Sequence, residues 1–268
     1  MMDHIRTLYA DLAAGGVMLG LAVSYPSPGM IERIAADWDW IWIDAQHGEL
    51  GYQDVLALVR ACDLVKRPAM LRVAGHEFSE IGRALDTGAA GVIVPCVDTA
   101  EQARAIARAA KFPPLGNRSY GGRRVVDVTG RAYSDTANAD TMLIVQIESP
   151  QGLANADAIA ATPGVDALFL GPDDMLLRRG VAMDVPRTPE MLRQVMQTVI
   201  DACRRHGKRG VMVGVGAAML DACVAMGFTM VVSGADAMFL TNGSKAASTE
   251  ARARIAGRGA PKHTHEHG

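Results

Sequence analysis

One pattern recurs along the chain and restricts its fold more than any other feature. A short, nearly continuous apolar run ends in a polar or Gly-rich turn, and an amphipathic stretch follows. Residues 17–23 lead to 28–36, 40–45 to 52–62, 68–73 to 77–86, and 90–97 to 99–110. Residues 142–148 lead to 151–161, 165–170 through a loop to 189–206, 210–215 to 217–226, and 228–233 to 235–255. Strands apolar on both faces belong to a parallel sheet covered by helices. Eight strand–helix units predict an α/β fold, specifically a single-domain (β/α)8 TIM barrel. A doubly wound open sheet would normally show a G-x-G-x-x-G turn after its first strand, and none is there.

The length of 268 residues suits such a barrel, which typically needs roughly 250. Hydrophobic residues make up 49%, enough for a large core, but aromatics only 5%, so small aliphatic side chains must do most of the packing. A net charge of −2 argues against a nucleic-acid or anionic-membrane surface. The four cysteines, Cys62, Cys96, Cys203 and Cys223, form no C-x-x-C pair, which fits buried thiols in a cytoplasmic enzyme. Residues 12–31 carry no charge, but glycines and prolines interrupt them, and the compact part, 17–23, is far below the ~20 residues of a membrane span. Asp3 and Asp11 dilute the positive start that a signal peptide needs.

The barrel domain is expected over residues 1–257, followed by a flexible tail, 258–268, bearing His263, His265 and His267. Residues 111–140 break the rhythm with a long connection carrying Arg118, Arg123, Arg124 and Arg131. It reads either as an ordered surface or subunit-contact segment or as an anion-binding or lid segment.

In a barrel of this kind the chemistry sits at the C-terminal ends of the strands. Asp44 closes the second strand and His47 follows it. Arg72 lies near the end of the third, and Gln146 and Glu148 end the fifth on one face, with Ile144 before them. Asp173 and Asp174 follow Gly171-Pro172 after the sixth. One charge on a buried strand is as often a structural ion pair as a functional group; several from separate strands at one rim are harder to explain by packing. The five lysines, Lys66, Lys111, Lys208, Lys245 and Lys262, all fall away from that rim, which argues against imine chemistry. Glu148 and Asp174 suit a hard divalent cation, Mg2+ or Mn2+, completed by water and substrate. Zinc fits less well, since the rim offers one His and no Cys cluster. A glycosidase carboxylate pair is the other reading, but the chain is poor in aromatic sugar platforms.

With these residues in view, the chain resembles the HpcH/HpaI family of metal-dependent pyruvate aldolases, over about residues 4–256. The motifs are Trp40-Ile41-Trp42-Ile43-Asp44-Ala45-Gln46-His47, Met70-Leu71-Arg72, Pro113-Pro114-x-Gly116-x-Arg118, Val145-Gln146-Ile147-Glu148 and Gly171-Pro172-Asp173-Asp174. The resemblance implies Glu148 and Asp174 as ligands of Mg2+ or Mn2+, with Co2+ also admitted. It implies Gln146 as a substrate contact and Arg72 as the stabiliser of an enolate oxygen. It further implies His47 as acid/base, and the backbone after Gly171-Pro172, at Asp173 and Asp174, as a carboxylate cradle. Asp86 matches an aspartate that raises the basicity of the His, although its helix should end at the opposite rim of its own barrel, so a His47 that it reaches would belong to a neighbouring subunit; Asp44 is the local rival for that role. Gln46 replaces a common Glu, and Asp173 a small residue, which bears on acceptor preference.

The implied reaction joins or cleaves pyruvate, or a hydroxypyruvate-like 2-oxo acid, and an aldehyde. An imidazole near neutrality suits the proton transfer. The same site would serve an oxaloacetate decarboxylase or a citrate lyase β-like acyl lyase; a non-catalytic metabolite-binding barrel is the remote alternative. The composition and the long connection point to a homo-oligomer, and the resemblance implies a hexamer.

Overall fold

The computed structural model describes residues 2–256. Eight strands are present: β1 (Met18–Val23), β2 (Trp40–Asp44), β3 (Ala69–Arg72), β4 (Gly91–Val94), β5 (Met142–Ile147), β6 (Ala167–Leu170), β7 (Arg209–Val213) and β8 (Met230–Ala235). They pair in chain order, all parallel, and β8 closes onto β1. The helices are α1 (Met2–Ala13), α2 (Pro28–Ile34), α3 (Tyr52–Leu64), α4 (Phe78–Asp86), α5 (Ala100–Ala110), α6 (Arg123–Thr129), α7 (Ser134–Asp140), α8 (Pro150–Ala154), α9 (Ala156–Ala160), α10 (Pro172–Leu177), α11 (Pro189–Arg205), α12 (Ala217–Met226) and α13 (Asp236–Ile255). The predicted (β/α)8 barrel is therefore the fold.

Side-chain alternation splits the core into two layers. Outward residues such as Ile41, Ile43, Leu71, Val92, Val145 and Leu168 pack beneath the helices. Inward residues, among them Trp40, Trp42, Met70, Met142, Ile144 and Phe169, fill the barrel. Aliphatics thus dominate the outer layer as composition requires, while two of the three tryptophans occupy the interior. Gly20 makes room for one of them: a Cβ there would lie 2.5 Å from Trp40 Cε2.

Local sequence sets the helix starts. Thr99 caps α5 by accepting from the Gln102 N–H, Ser149 caps α8 through Gly152, and Thr188 caps α11 ahead of Pro189. Gly227, at φ 99°, ends α12 in the left-handed conformation.

Several elements differ from the sequence reading. The strand–helix rhythm does not announce α1, yet Ile5, Leu8 and Leu12 join the interior cluster and plug the N-terminal end of the barrel. Burying each is worth about 1.5–3 kcal/mol, and their 3–4 spacing was the available signal. The helix expected over 151–161 divides at Asn155 into α8 and α9. Part of the loop after β6 is helical, as α10. The strand expected over 90–97 stops at Val94. The histidine-bearing tail, 258–268, lies outside the described residues.

The connection 111–140 carries α6 and α7 over a small cluster of Phe112, Val125, Tyr133 and Ala137. It lies at the N-terminal rim: Lys111 Nζ donates to Asp166 Oδ2 at 2.7 Å ahead of β6, and Arg124 pairs with Asp63 at the end of α3. It is an ordered segment remote from the catalytic rim of its own barrel, so it is no lid over that rim.

Candidate active site

The strand register builds the site. Asp44 on β2 stands opposite Arg72 on β3, and both point inward, in phase with Trp42 and Met70. Arg72 donates from Nε to Asp44 Oδ1 at 2.9 Å and from Nη2 to Oδ2 at 2.6 Å. Their side chains are only 8% and 10% exposed, so neither charge would be tolerated alone. Burial pushes the Asp44 pKa upward; the Arg72 hydrogen bonds and charge, with the backbone N–H groups of His47 and Gln46, outweigh it and hold the carboxyl below 3.8. Those N–H groups reach Oδ1 at 3.2 and 3.1 Å. Asp44 therefore fixes the loop that carries His47 through its backbone, and among the described residues its carboxylate accepts from Arg72 and these amides rather than from the imidazole.

A polar chain continues from Arg72. Its guanidinium lies 4.5 Å over the Trp42 ring, and Nη1 donates to Gln146 Oε1 at 3.4 Å. Gln146 Nε2 donates to Glu148 Oε2 at 2.6 Å, and Glu148 Oε1 accepts from the Cys96 N–H at 2.7 Å. That amide reaches Glu148 because the chain after β4 turns at Cys96 with φ 55°, a conformation that costs a non-glycine residue about 1–3 kcal/mol. Burial, the hydrogen bond with Glu148 and the Glu148 charge push the Cys96 thiol up to about 11. That shift disfavours the thiolate.

After β6, Gly171-Pro172 opens α10 and places Asp173 and Asp174 in its first turn. A Cβ on Gly171 would stand 2.7 Å from both Gln146 Nε2 and Glu148 Oε2, so glycine allows the backbone to close against them. Asp173 Oδ1 lies 2.7 Å from Arg187 Nε, an ion pair by distance although the angle makes a poor hydrogen bond. Burial raises the Asp173 pKa, the Arg187 charge opposes that, and Asp174 adds to it. Asp174 Oδ1 is 3.8 Å from Arg178 Nε.

These groups surround one cavity of about 150 Å³ at the C-terminal rim. His47, Arg72, Gln146, Glu148, Gly171, Pro172, Asp173 and Asp174 all line it; Asp44 stands behind Arg72. Asp86 does not line this cavity in its own barrel: it ends α4 at the far rim and accepts from Arg118 Nη2 at 2.9 Å, as the direction of its helix requires, so any contact it makes with a His47 is with that of a neighbouring subunit. Sequence reasoning missed Trp42, Phe169, Val213 and Arg187 in the cavity wall. Trp42 shares parity with Asp44, and Arg187 falls in a connection following a strand end; both signals were available.

A closed parallel barrel with two guanidiniums, an imidazole and three carboxylates lining one cavity at its C-terminal rim is built as an enzyme. The family model described as HpcH/HpaI aldolase/citrate lyase matches residues 19–243. A 4-hydroxy-2-oxovalerate aldolase of Novosphingobium aromaticivorans is 39% identical, with 68% of this chain and 70% of that protein aligned. A 2-keto-3-deoxy-L-rhamnonate aldolase of Klebsiella pneumoniae subsp. pneumoniae is 35% identical over 86% of this chain and 87% of its own length. The crystal structure of a HpcH/HpaI aldolase/citrate lyase family protein from Burkholderia cenocepacia J2315 superimposes with a TM-score of 0.83 at 32% identity, covering 92% of this chain and 99% of that one. The chain belongs to the HpcH/HpaI aldolase/citrate lyase family, and its chemistry is the making and breaking of carbon–carbon bonds.

Proposed function

We propose that the protein is a class II aldolase acting between pyruvate, or a hydroxypyruvate-like 2-oxo acid, and an aldehyde. The observation that carries this reading is the convergence of His47, Arg72, Glu148 and Asp174, from four separate strand ends, on one cavity.

The residues suit a divalent cation. Glu148 and Asp174 both line the cavity and are the two carboxylates that would hold the ion, with water and substrate completing its shell, since no cluster of three ligating side chains forms among the described residues. Such a donor set is that of a hard ion, Mg2+ or Mn2+, with Co2+ also accepted. When bound, the ion would polarise the keto group and favour loss of a C3 proton. Arg72, locked by Asp44 and Gln146, holds a fixed positive charge against the enolate oxygen; one such preorganised donor is worth about 10²–10³ in rate. Gln146 and the backbone at Asp173 and Asp174 hold the donor's polar end. Trp42, Phe169 and Val213 wall the cavity against water. His47, directly or through a water, accepts the proton that leaves C3, the new bond forms from C3 to the aldehyde carbon, and His47 returns the proton to the aldehyde oxygen; cleavage reverses each transfer. Asp44 positions His47 through its loop.

Among the described residues no helix is long and apolar enough to cross a membrane. A cytoplasmic setting fits the free cysteines, of which Cys62, Cys203 and Cys223 are buried. A homo-oligomer fits α13, whose residues 239–256 are all exposed, because a helix without packing is marginal in water.

The test is exchange of pyruvate methyl protons for deuterium, followed by NMR with and without exhaustive chelation. Exchange should vanish on chelation and return with Mg2+, Mn2+ or Co2+; full exchange in metal-free protein would overturn the mechanism. Oxaloacetate, a CoA thioester, and pyruvate with aldehydes, assayed side by side, separate the decarboxylase and acyl-lyase alternatives. Pyruvate binding without exchange would identify a non-catalytic barrel.

A further inference from the structure

The proposed donor fills most of the cavity. A space of about 150 Å³ is the size that accepts one benzene-like molecule, and pyruvate has the same number of heavy atoms. The chain of an aldehyde must therefore extend toward the mouth of the cavity. Two side chains from the β6 connection wait there. Asp173 sits in the first turn of α10, and Arg187 comes from the loop joining α10 to α11. Arg187 faces Asp173 with Nε at 2.7 Å, and its side chain is 37% exposed. No hydrogen bond from its two Nη groups occurs among the described residues. Asp173 is half-exposed and lines the cavity, and its Oδ1 is the buried oxygen beside Arg187, which leaves Oδ2 as the acceptor open to an incoming group.

We propose that Arg187 and Asp173 form the acceptor subsite and select a neutral aldehyde carrying a hydroxyl group along its chain. This rests on the aldolase reading of the site. A hydroxyl both donates and accepts, so it can give its proton to Asp173 and receive one from Arg187. An unsubstituted alkyl aldehyde offers neither group. An aldehyde with its own carboxylate meets Asp173 and Asp174 together, while the nearest cation is already committed to Asp173. A site built to hydrogen-bond a substrate hydroxyl discriminates strongly against the analogue that lacks it. The mouth is partly open to water, which reduces the effect to about tenfold to hundredfold in kcat/KM.

The experiment compares glycolaldehyde and glyceraldehyde with acetaldehyde, propanal and glyoxylate as acceptors for pyruvate, with product read by mass spectrometry. Deuterium exchange into pyruvate is measured on the same wild-type preparation. Its absence defeats the aldolase reading itself, separately from the subsite. With exchange present, wild-type protein should favour the hydroxyaldehydes at least tenfold in kcat/KM. Arg187→Met and Asp173→Asn should each collapse that ratio toward unity, chiefly by raising KM for the hydroxylated acceptor, and Arg187→Lys should restore part of it. A wild-type preference for acetaldehyde or glyoxylate would overturn the proposal, even if the variants fail to fold. A hydroxyl preference that survives both substitutions would overturn it too.

Discussion

Asp44 and Arg72 are register partners on adjacent strands, and their side chains meet inside the barrel as a two-point ion pair, with contacts of 2.9 and 2.6 Å. The same guanidinium reaches Gln146 and covers the Trp42 ring. A planar fork is needed to make all of these contacts at once. Arg72→Lys should therefore lower kcat by about 10²–10³, with a smaller effect on pyruvate KM. Steady-state kinetics on a variant shown to be folded by circular dichroism checks this; near wild-type turnover would remove Arg72 from the mechanism.

The pair also makes stability depend on pH. Arg72 and two backbone amides, against the opposing effect of burial, hold the Asp44 carboxyl below its ordinary value. A depressed native pKa stabilises the fold above the unfolded value, and that contribution is lost as pH falls through the folded value. Unfolding free energy should therefore drop below about pH 4. Asp140, lowered mainly by its hydrogen bond from Arg6, contributes in the same direction. Urea unfolding from pH 6 to pH 3 should show a shallower slope in Asp44→Asn than in wild type, and equal slopes would show that Asp44 is not the group responsible. Asp44→Ala should cost about 3–5 kcal/mol at neutral pH, because it leaves Arg72 buried without its partner.

Gly171 carries a steric prediction. A methyl group there would press on Gln146 and Glu148 at 2.7 Å, well inside normal contact. Gly171→Ala should cost about 1–3 kcal/mol by overpacking and should weaken metal binding by displacing Glu148. Calorimetric titration with Mn2+ and thermal melts measure the two effects independently; unchanged Mn2+ affinity would separate Glu148 from the ion.

Lysine placement gives a chemical prediction. Lys111 is buried at the N-terminal rim against Asp166, Lys208 donates to Val165 O, and among the described residues no lysine lines the cavity. Borohydride added with pyruvate should leave the intact mass unchanged. A reduced pyruvyl adduct on any lysine would restore imine chemistry.

Much of this molecule could be read before any coordinates. The eight apolar runs place every strand because a sheet buried on both faces must be apolar along its whole length. The rule that barrel chemistry sits at strand ends then selects His47, Arg72, Glu148 and Asp174 as the candidate site, and all four line one cavity. Less local features were hidden. The α1 plug has no strand to follow, so the alternating rhythm passes over it. Cys96 serves through its backbone amide, and a left-handed turn inside an apolar run leaves no mark in residue type.

Hydrophobic period and strand-end polarity are local properties, and they determined the barrel and the rim residues. The tertiary structure decided which neighbour each charge takes. It gave Asp44 to Arg72, Asp86 to Arg118, and Asp173 to Arg187. Those pairings depend on strand register and on where loops from distant parts of the chain come to rest, and a buried charge takes the partner that the fold brings within reach.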